Sequence, residues 1–490
     1  MPEIGPCPRR DRAPTLPSVM ASRFRRRLRS AVRRPARKLL TPGPPTVELL
    51  HPIGPQVPDD RHVQQVMDLC IRIGEVLLSS GEGSGETTEA MLRVANAYGL
   101  PAVDVDVTFT SITICCHRGM AATPITSMRL VDNRGLDMTL LATVYRMVED
   151  VEQERAGLRE TAEALENAVT ANHPYPRWVA TSGAAGLAGA VALLLGSPWV
   201  AVVSAAVITA VIDVTGRFLA KHRLPPFFRQ VVGGFLATGA TAALYLVGVL
   251  SEGTQPELVV AAGITVLLSG FAVTGAGQDA IGGYHVTAAG RAAEIGVLSA
   301  GLLSGVVLGL KVAQRVGVTL DVAAELPVSG VRMAATVGAA ALASVFYALN
   351  GYAPFLALLF AGLAGAVGRG VYVLAGALGA GPVAAAALAA TVVGLAAGLL
   401  RRKGRVPWGK VPPLVVAFAG IIPLLPGRTA YRGFYQLSVE GVADGLVTVT
   451  LALAIGLALA AGVTLGQFLT RPQATPLAPS DPARQGKRNQ

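Results

Sequence analysis

Charge is what this sequence has least of. Asp, Glu, Lys and Arg make up 15 % of its 490 residues and aromatic residues 5 %, against 52 % hydrophobic residues. Between Trp178 and Phe468 long runs carry no charge at all, among them Val231–Leu250, Leu258–Ala276, Met333–Leu349 and Val371–Leu400. That scarcity excludes a chain of several soluble domains, which a length of 490 would otherwise suit. Each run meets or approaches the roughly 20 residues that cross a hydrocarbon core about 30 Å thick. One such run could be a buried soluble helix; some ten in succession could not.

Cysteine is nearly absent too. Cys7, Cys70, Cys115 and Cys116 form no spaced framework, which excludes a disulfide scaffold and fits a reduced, cytosolic setting. Cys115-Cys116-His117 is not a zinc site, because neighbouring residues on a strand point to opposite faces, and core packing is the better reading. No Gly-x-x-x-x-Gly-Lys-Ser/Thr sequence occurs, so a self-contained ATP-driven pump is excluded. Gly81-Glu-Gly-Ser-Gly85 is glycine-rich but follows a helix and lacks that lysine, and reads as a helix–helix connection. Neither a Ser/His/Asp order nor paired carboxylates stand out. The sequence therefore nominates no catalytic residue, metal or cofactor, and the protein is not expected to be an enzyme.

The net charge of +11 is concentrated at one end. Residues 1–40 hold twelve Lys/Arg against Glu3 and Asp11. The Arg23–Lys38 stretch has no apolar segment behind it, so it is not a secretory signal. On a membrane protein such an arm is expected to touch anionic lipid rather than nucleic acid.

Residues 1–60 read as a disordered basic arm and 471–490 as a disordered cytosolic tail. Residues 61–171 read as a cytosolic α/β domain. There, Val63, Val66, Met67, Cys70, Ile73, Leu77 and Leu78 recur at helical spacing. Ser79–Thr88 stops that helix and caps a second, which ends near Gly99. Val103, Val105, Val107 and Phe109 alternate with polar residues as a strand, and the phase change at Ser111 predicts a bulge or turn. A further short strand is expected at Thr126–Val131, and amphipathic helix from Asp137 to Val169.

Ten spans are expected, near 178–196, 198–213, 230–250, 257–276, 291–310, 331–349, 353–368, 372–400, 411–427 and 441–467. The basic loop around Arg217–Arg229 and the stretch Arg401–Lys410 place their ends inside with the soluble domain, and the acidic Ser251–Glu257 outside. The loop 311–332, with Lys311, Arg315 and Arg332, fits that scheme poorly. Sliding the sequence by 150 residues pairs Val266 with Val416, Gly270 with Gly420 and Gly277 with Gly427. Five spans per copy is an odd number, so the second copy must insert upside down. The expected architecture is a polytopic α-helical membrane protein of about ten transmembrane helices. They form two inverted five-helix repeats (172–310 and 311–470) behind an N-terminal cytosolic α/β domain.

Matched breaks in inverted halves mark a transporter's binding site. Here they are Thr274–Gly283 and Pro423–Thr429. Ionisable residues near spans are functional candidates by default; Asp213 and Arg369 belong among them but lie close to short connections. The substrate-binding candidates are Gln278, Asp279, His285, Arg428 and Thr429, with a carboxylate for an ammonium group and Arg428 for a carboxylate. The proton-coupling candidates are Asp279, Glu294 and Asp444.

Leu77–Glu89 and Tyr98–Thr113, followed by the helix leading into ten spans, resemble the threonine/serine exporter family of bacteria. The resemblance covers nearly everything from residue 61 to residue 468. It implies a multi-pass protein of the bacterial inner membrane with both termini cytosolic. It also implies export of threonine and serine driven by the proton motive force. Two other readings stay open: a membrane-anchored hydrolase or peptidase acting through residues 61–171, and a non-transporting membrane sensor. Oligomeric state is not readable from the sequence.

Overall fold

The computed structural model describes residues 59–118, 123–131, 135–250, 256–267, 270–318, 330–402, 413–439 and 441–470. The basic arm, nearly all of it, and the C-terminal tail lie outside these residues. So do most of the Arg401–Lys410 stretch and half of 311–332.

Residues 60–170 hold four helices and a small sheet. Helix α1 (Asp60–Ser79) buries the apolar stripe read from the sequence and adds Leu69, Ile71 and Val76 to it. After a short turn, α2 (Ser84–Ala97) leads to β1 (Val103–Val107), β2 (Ser111–Cys116) and β3 (Ile125–Leu130), paired antiparallel in the order β1-β2-β3. The phase change at Ser111 is a turn: Val107 pairs with Ile112, and the Thr108 hydroxyl meets the Ser111 hydroxyl at 2.7 Å. Cys116 is buried while Cys115 faces the other side, half exposed, so core packing holds for Cys116 alone.

The single amphipathic helix expected over 137–169 is two helices, α3 (Met138–Glu152) and α4 (Leu158–Thr170). Glu154 adopts the left-handed backbone (φ 55°) between them, and Gly157 caps the second. The apolar period runs through both, so it could not show the break.

The rest is helical: α5 (Arg177–Leu194), α6 (Trp199–Lys221), α7 (Pro226–Leu246), α8 (Pro256–Thr265), α9 (Gly270–Ile281), α10 (His285–Arg315), α11 (Gly330–Asn350), α12 (Phe355–Ala377), α13 (Pro382–Arg402), α14 (Pro413–Ile421, continued by a 3₁₀ turn to Leu424), α15 (Gly427–Val439) and α16 (Val442–Thr470). Seven of these are long and apolar enough to cross a membrane: α5, α6, α10, α11, α12, α13 and α16. The fourth predicted span falls on two short helices, α8 and α9, and the ninth on α14 with its 3₁₀ turn, α15 beginning where that span was drawn to end. The seventh runs on through Gly368-Arg369-Gly370 to Ala377, so its boundary with the eighth lies at 378–381 rather than 369–371. Helix α10 continues to Arg315, past the boundary drawn at 310.

The elements recur in order. Two short helices followed by a long one, α8, α9 and α10, recur as α14, α15 and α16, and the long helices start at His285 and Val442, 157 residues apart. The offset at that long helix is 157, against the 150 of the residue matches. Packing recurs with it. Helix α7 lies along α10 as α13 lies along α16, and α5 packs on α6 as α11 does on α12. Between the halves the contacts are reciprocal: α5 meets α11, α9 meets α16, and α15 meets α10. Such i-to-j, j-to-i contact is what a pseudo-two-fold relation produces. Both long pairs close on glycine. A Cβ at Gly305 would collide with the Val231 carbonyl, and one at Gly466 with the Thr391 carbonyl. Small residues at this spacing let apolar helices approach where no hydrophobic force separates protein from lipid.

Candidate functional site

The best-defined polar cluster lies where the turn between α1 and α2 meets α9 and α10. Helix α2 begins at Ser84, and its N-cap residue, Gly83, has no side chain to satisfy the first free N–H groups. Asp279 of α9, 195 residues away, does so instead: its Oδ1 accepts from the Ser84 N–H at 2.8 Å. Negative charge is favourable at that end of a helix. Asp279 Oδ2 lies 3.1 Å from Nε of Arg291 on α10, and both side chains are almost fully buried. The Arg291 Nη2 donates to the Glu82 backbone carbonyl at 2.9 Å.

Glu82 itself is 1 % exposed. The Tyr145 hydroxyl of α3 donates to its Oε2 at 2.6 Å, and the Gly83 N–H to its Oε1 at 3.3 Å. Burial, and then the nearby Glu86 charge, pushes its carboxyl up to about 8. The Tyr145 and Gly83 hydrogen bonds and the Arg291 charge oppose that rise. The cluster thus holds one guanidinium and two buried carboxyl groups. Asp279 balances Arg291, and Glu82 is the carboxyl left over.

Two close approaches fix this geometry. A Cβ on Gly85 would lie 3.2 Å from the Tyr284 ring, and a Cβ on Gly290 would lie 2.8 Å from the Phe109 ring at the β1–β2 turn. Thr287 of α10 donates to the Val107 carbonyl at 3.2 Å. A second junction joins α3 to the α11–α12 turn. There the Met138 N–H donates to the Gly351 carbonyl at 2.9 Å, and His173 stacks on Tyr352 with ring centroids 4.3 Å apart.

Of the residues nominated from the sequence, the structure places Asp279 in this cluster and Gln278 beside it on α9, half-buried. His285 and Glu294 are exposed on α10 and Asp444 on α16. Arg428 and Thr429 are half-buried at the start of α15. The partners of Asp279 are Arg291 and Ser84, neither of which was nominated. Arg291 carried a readable signal: a cation twelve residues after a carboxylate, across the Gly282-Gly283 turn. Glu82 carried only its setting among glycines. The connection reading of Gly81–Gly85 holds as far as it goes; the docking was invisible.

The structural register relates Asp279 to Gln436 and Arg291 to Thr448. These two also touch: the Thr448 hydroxyl donates to Gln436 Oε1 at 2.6 Å. The second half therefore keeps the pairing between its short helix and its last helix, without charge.

Fold and site together define a polytopic helical membrane protein with a buried ion pair that meets the turn between α1 and α2. Two family models, both described as threonine/serine exporter, match residues 68–313 and 336–469. The chain belongs to the threonine/serine exporter family. It is 38 % identical over 421 residues to a Mycobacterium tuberculosis protein named "probable threonine/serine exporter", covering 84 % of this chain and 78 % of that one. It is 36 % identical to the Corynebacterium glutamicum protein named threonine/serine exporter, covering 86 % of each. An Escherichia coli protein named "probable succinate transporter subunit YjjP" is 25 % identical over 50 % of this chain and 94 % of its own length. No solved structure matches.

Proposed function

We propose that this protein is a secondary exporter of small amino acids, threonine and serine foremost, driven by the proton motive force across a bacterial inner membrane. The reciprocal packing of two like halves is the observation that carries this reading, because alternating access in such proteins is a rocking of one half against the other. The halves would be inverted with respect to each other, with residues 61–171 and both termini in the cytosol. Gln278, Asp279 and His285 of the first half, and Arg428 and Thr429 of the second, would bind the substrate's ammonium and carboxylate. Asp279, Glu294 and Asp444 would exchange the proton. The names carried by the relatives support the substrate class.

Cells loaded with a threonine dipeptide test it. Labelled threonine should leave faster with this protein than without it, and a protonophore should abolish the difference. Unchanged efflux from cells with confirmed membrane expression, across serine, other amino acids and succinate, would sink the exporter reading.

A further inference from the structure

The charge count of the buried cluster leads one step beyond that reading. Glu82 sits at the docking face of the N-terminal region. Its backbone holds Arg291 and its neighbour Ser84 holds Asp279, so it cannot move without disturbing both bonds. We propose that Glu82 is a proton-binding site that couples the seating of the α1–α2 turn on α9 and α10 to uptake of one proton. This deepens the exporter reading and rests on it for its place in a transport cycle.

The argument is a balance of buried charge. From α10, Arg291 faces the turn; from α9, Asp279 neutralises it. From α3 comes the Tyr145 hydroxyl, and from α2 the Glu86 carboxylate, with Arg93 on the same helix engaged by Glu152 at 3.4 Å. On helix α1, Arg72 and Glu75 are engaged by Glu166 and Arg129. A second ionised carboxylate in this setting has no cation of its own. It would either stay desolvated or draw Arg291 from Asp279, and each outcome weakens the seat. A protonated Glu82 leaves Arg291 paired with Asp279 and held by the Glu82 carbonyl.

The sign follows from linkage. With the turn seated, Glu82 holds its proton up to about pH 8; lifted into water, its carboxyl returns to its ordinary 4.5. Below the ordinary value both states are protonated and seating is at full strength. As pH rises between the two values only the lifted state loses its proton, so seating weakens about tenfold per pH unit. Above the higher value both states are ionised and the loss levels off. If seating and lifting alternate during export, each round binds and releases one proton here.

Hydrogen exchange of the full chain in lipid nanodiscs, followed from pH 5.5 to 9 and corrected for intrinsic rates, reads this directly at residues 79–90. Protection of the wild-type turn should fall about tenfold per unit, then flatten near pH 8. Glu82→Gln keeps the shape without the titration and should make protection independent of pH. Tyr145→Phe removes a bond that favours the ionised carboxyl and should carry the plateau to higher pH. Wild-type protection that ignores pH, or a Glu82→Gln slope equal to wild type, would overturn the proposal. The wild-type measurement stands even if a variant misfolds. Efflux of labelled threonine by Glu82→Gln should lose its dependence on cytosolic pH, and a wild-type pH profile there would also overturn the coupling. Absence of any efflux by the wild type would strike the exporter reading alone, because exchange still decides whether Glu82 binds the proton.

Discussion

The first half joins its short helix to its last helix with Asp279 and Arg291; the second joins the matching helices with Gln436 and Thr448. Both places hold a polar contact, charged in the first and neutral in the second. What the first half has in addition is a neighbour: the α1–α2 turn, whose free N–H and carbonyl groups consume one partner each from the pair. A charged clasp can hold its own helices and still offer a charge-assisted bond outward, where such bonds are about twice as strong as neutral ones.

Breaking the charged clasp should have the largest effect. Asp279→Asn leaves the Arg291 guanidinium buried without its counter-charge, while the amide oxygen still accepts from the Ser84 N–H. A loss of about 3–5 kcal/mol is expected, read by chemical unfolding in detergent, together with loss of threonine efflux. Normal efflux by that variant would remove Asp279 from the mechanism.

Transplanting the neutral clasp sharpens the comparison. Asp279→Gln with Arg291→Thr should be markedly more stable than Asp279→Asn, because no unpaired charge remains, while efflux stays lost. A double variant no more stable than the single one would show that the two clasps are not equivalent. Crowding the docking face should cost less. Gly85→Ala puts a methyl against the Tyr284 ring and should destabilise by about 1–3 kcal/mol, with faster hydrogen exchange at the start of α2 and none of the change near α15.

The smallest effect is expected in the second half. Gln436→Leu removes one neutral hydrogen bond, and Thr448 keeps its bond to the Asp444 carbonyl. A loss of about 1 kcal/mol, with efflux retained, is expected. A loss as large as that of Asp279→Asn would mean that the second clasp bears on transport equally.

The matched interruptions were legible in outline. Gly and Pro near 274–283 and 423–429 were read as the interrupted ends of the fourth and ninth spans, where α9 closes at Ile281 and the 3₁₀ turn to Leu424 gives way to α15 at Gly427. Helix α9 runs intact through Gly275 and Gly277, tolerating glycines that otherwise mark a helix's end. Asp279 was legible as a carboxylate near lipid. Arg291 was passed over despite its spacing from Asp279, because an arginine at a span's end ordinarily reads as an interfacial anchor.

The sequence by itself determined the parts: which stretches are helical, that many suit a bilayer, where the strands alternate and where the helices stop. These follow from hydropathy and from turn chemistry, which act over a few neighbouring residues. Only the tertiary structure decided that the turn at Glu82 seats on Asp279 and Arg291, and that Gln436 and Thr448 repeat the clasp. Those bonds join residues far apart in the chain. Burial, which turns a surface glutamate into a proton-binding group, exists only once the chain has closed around it.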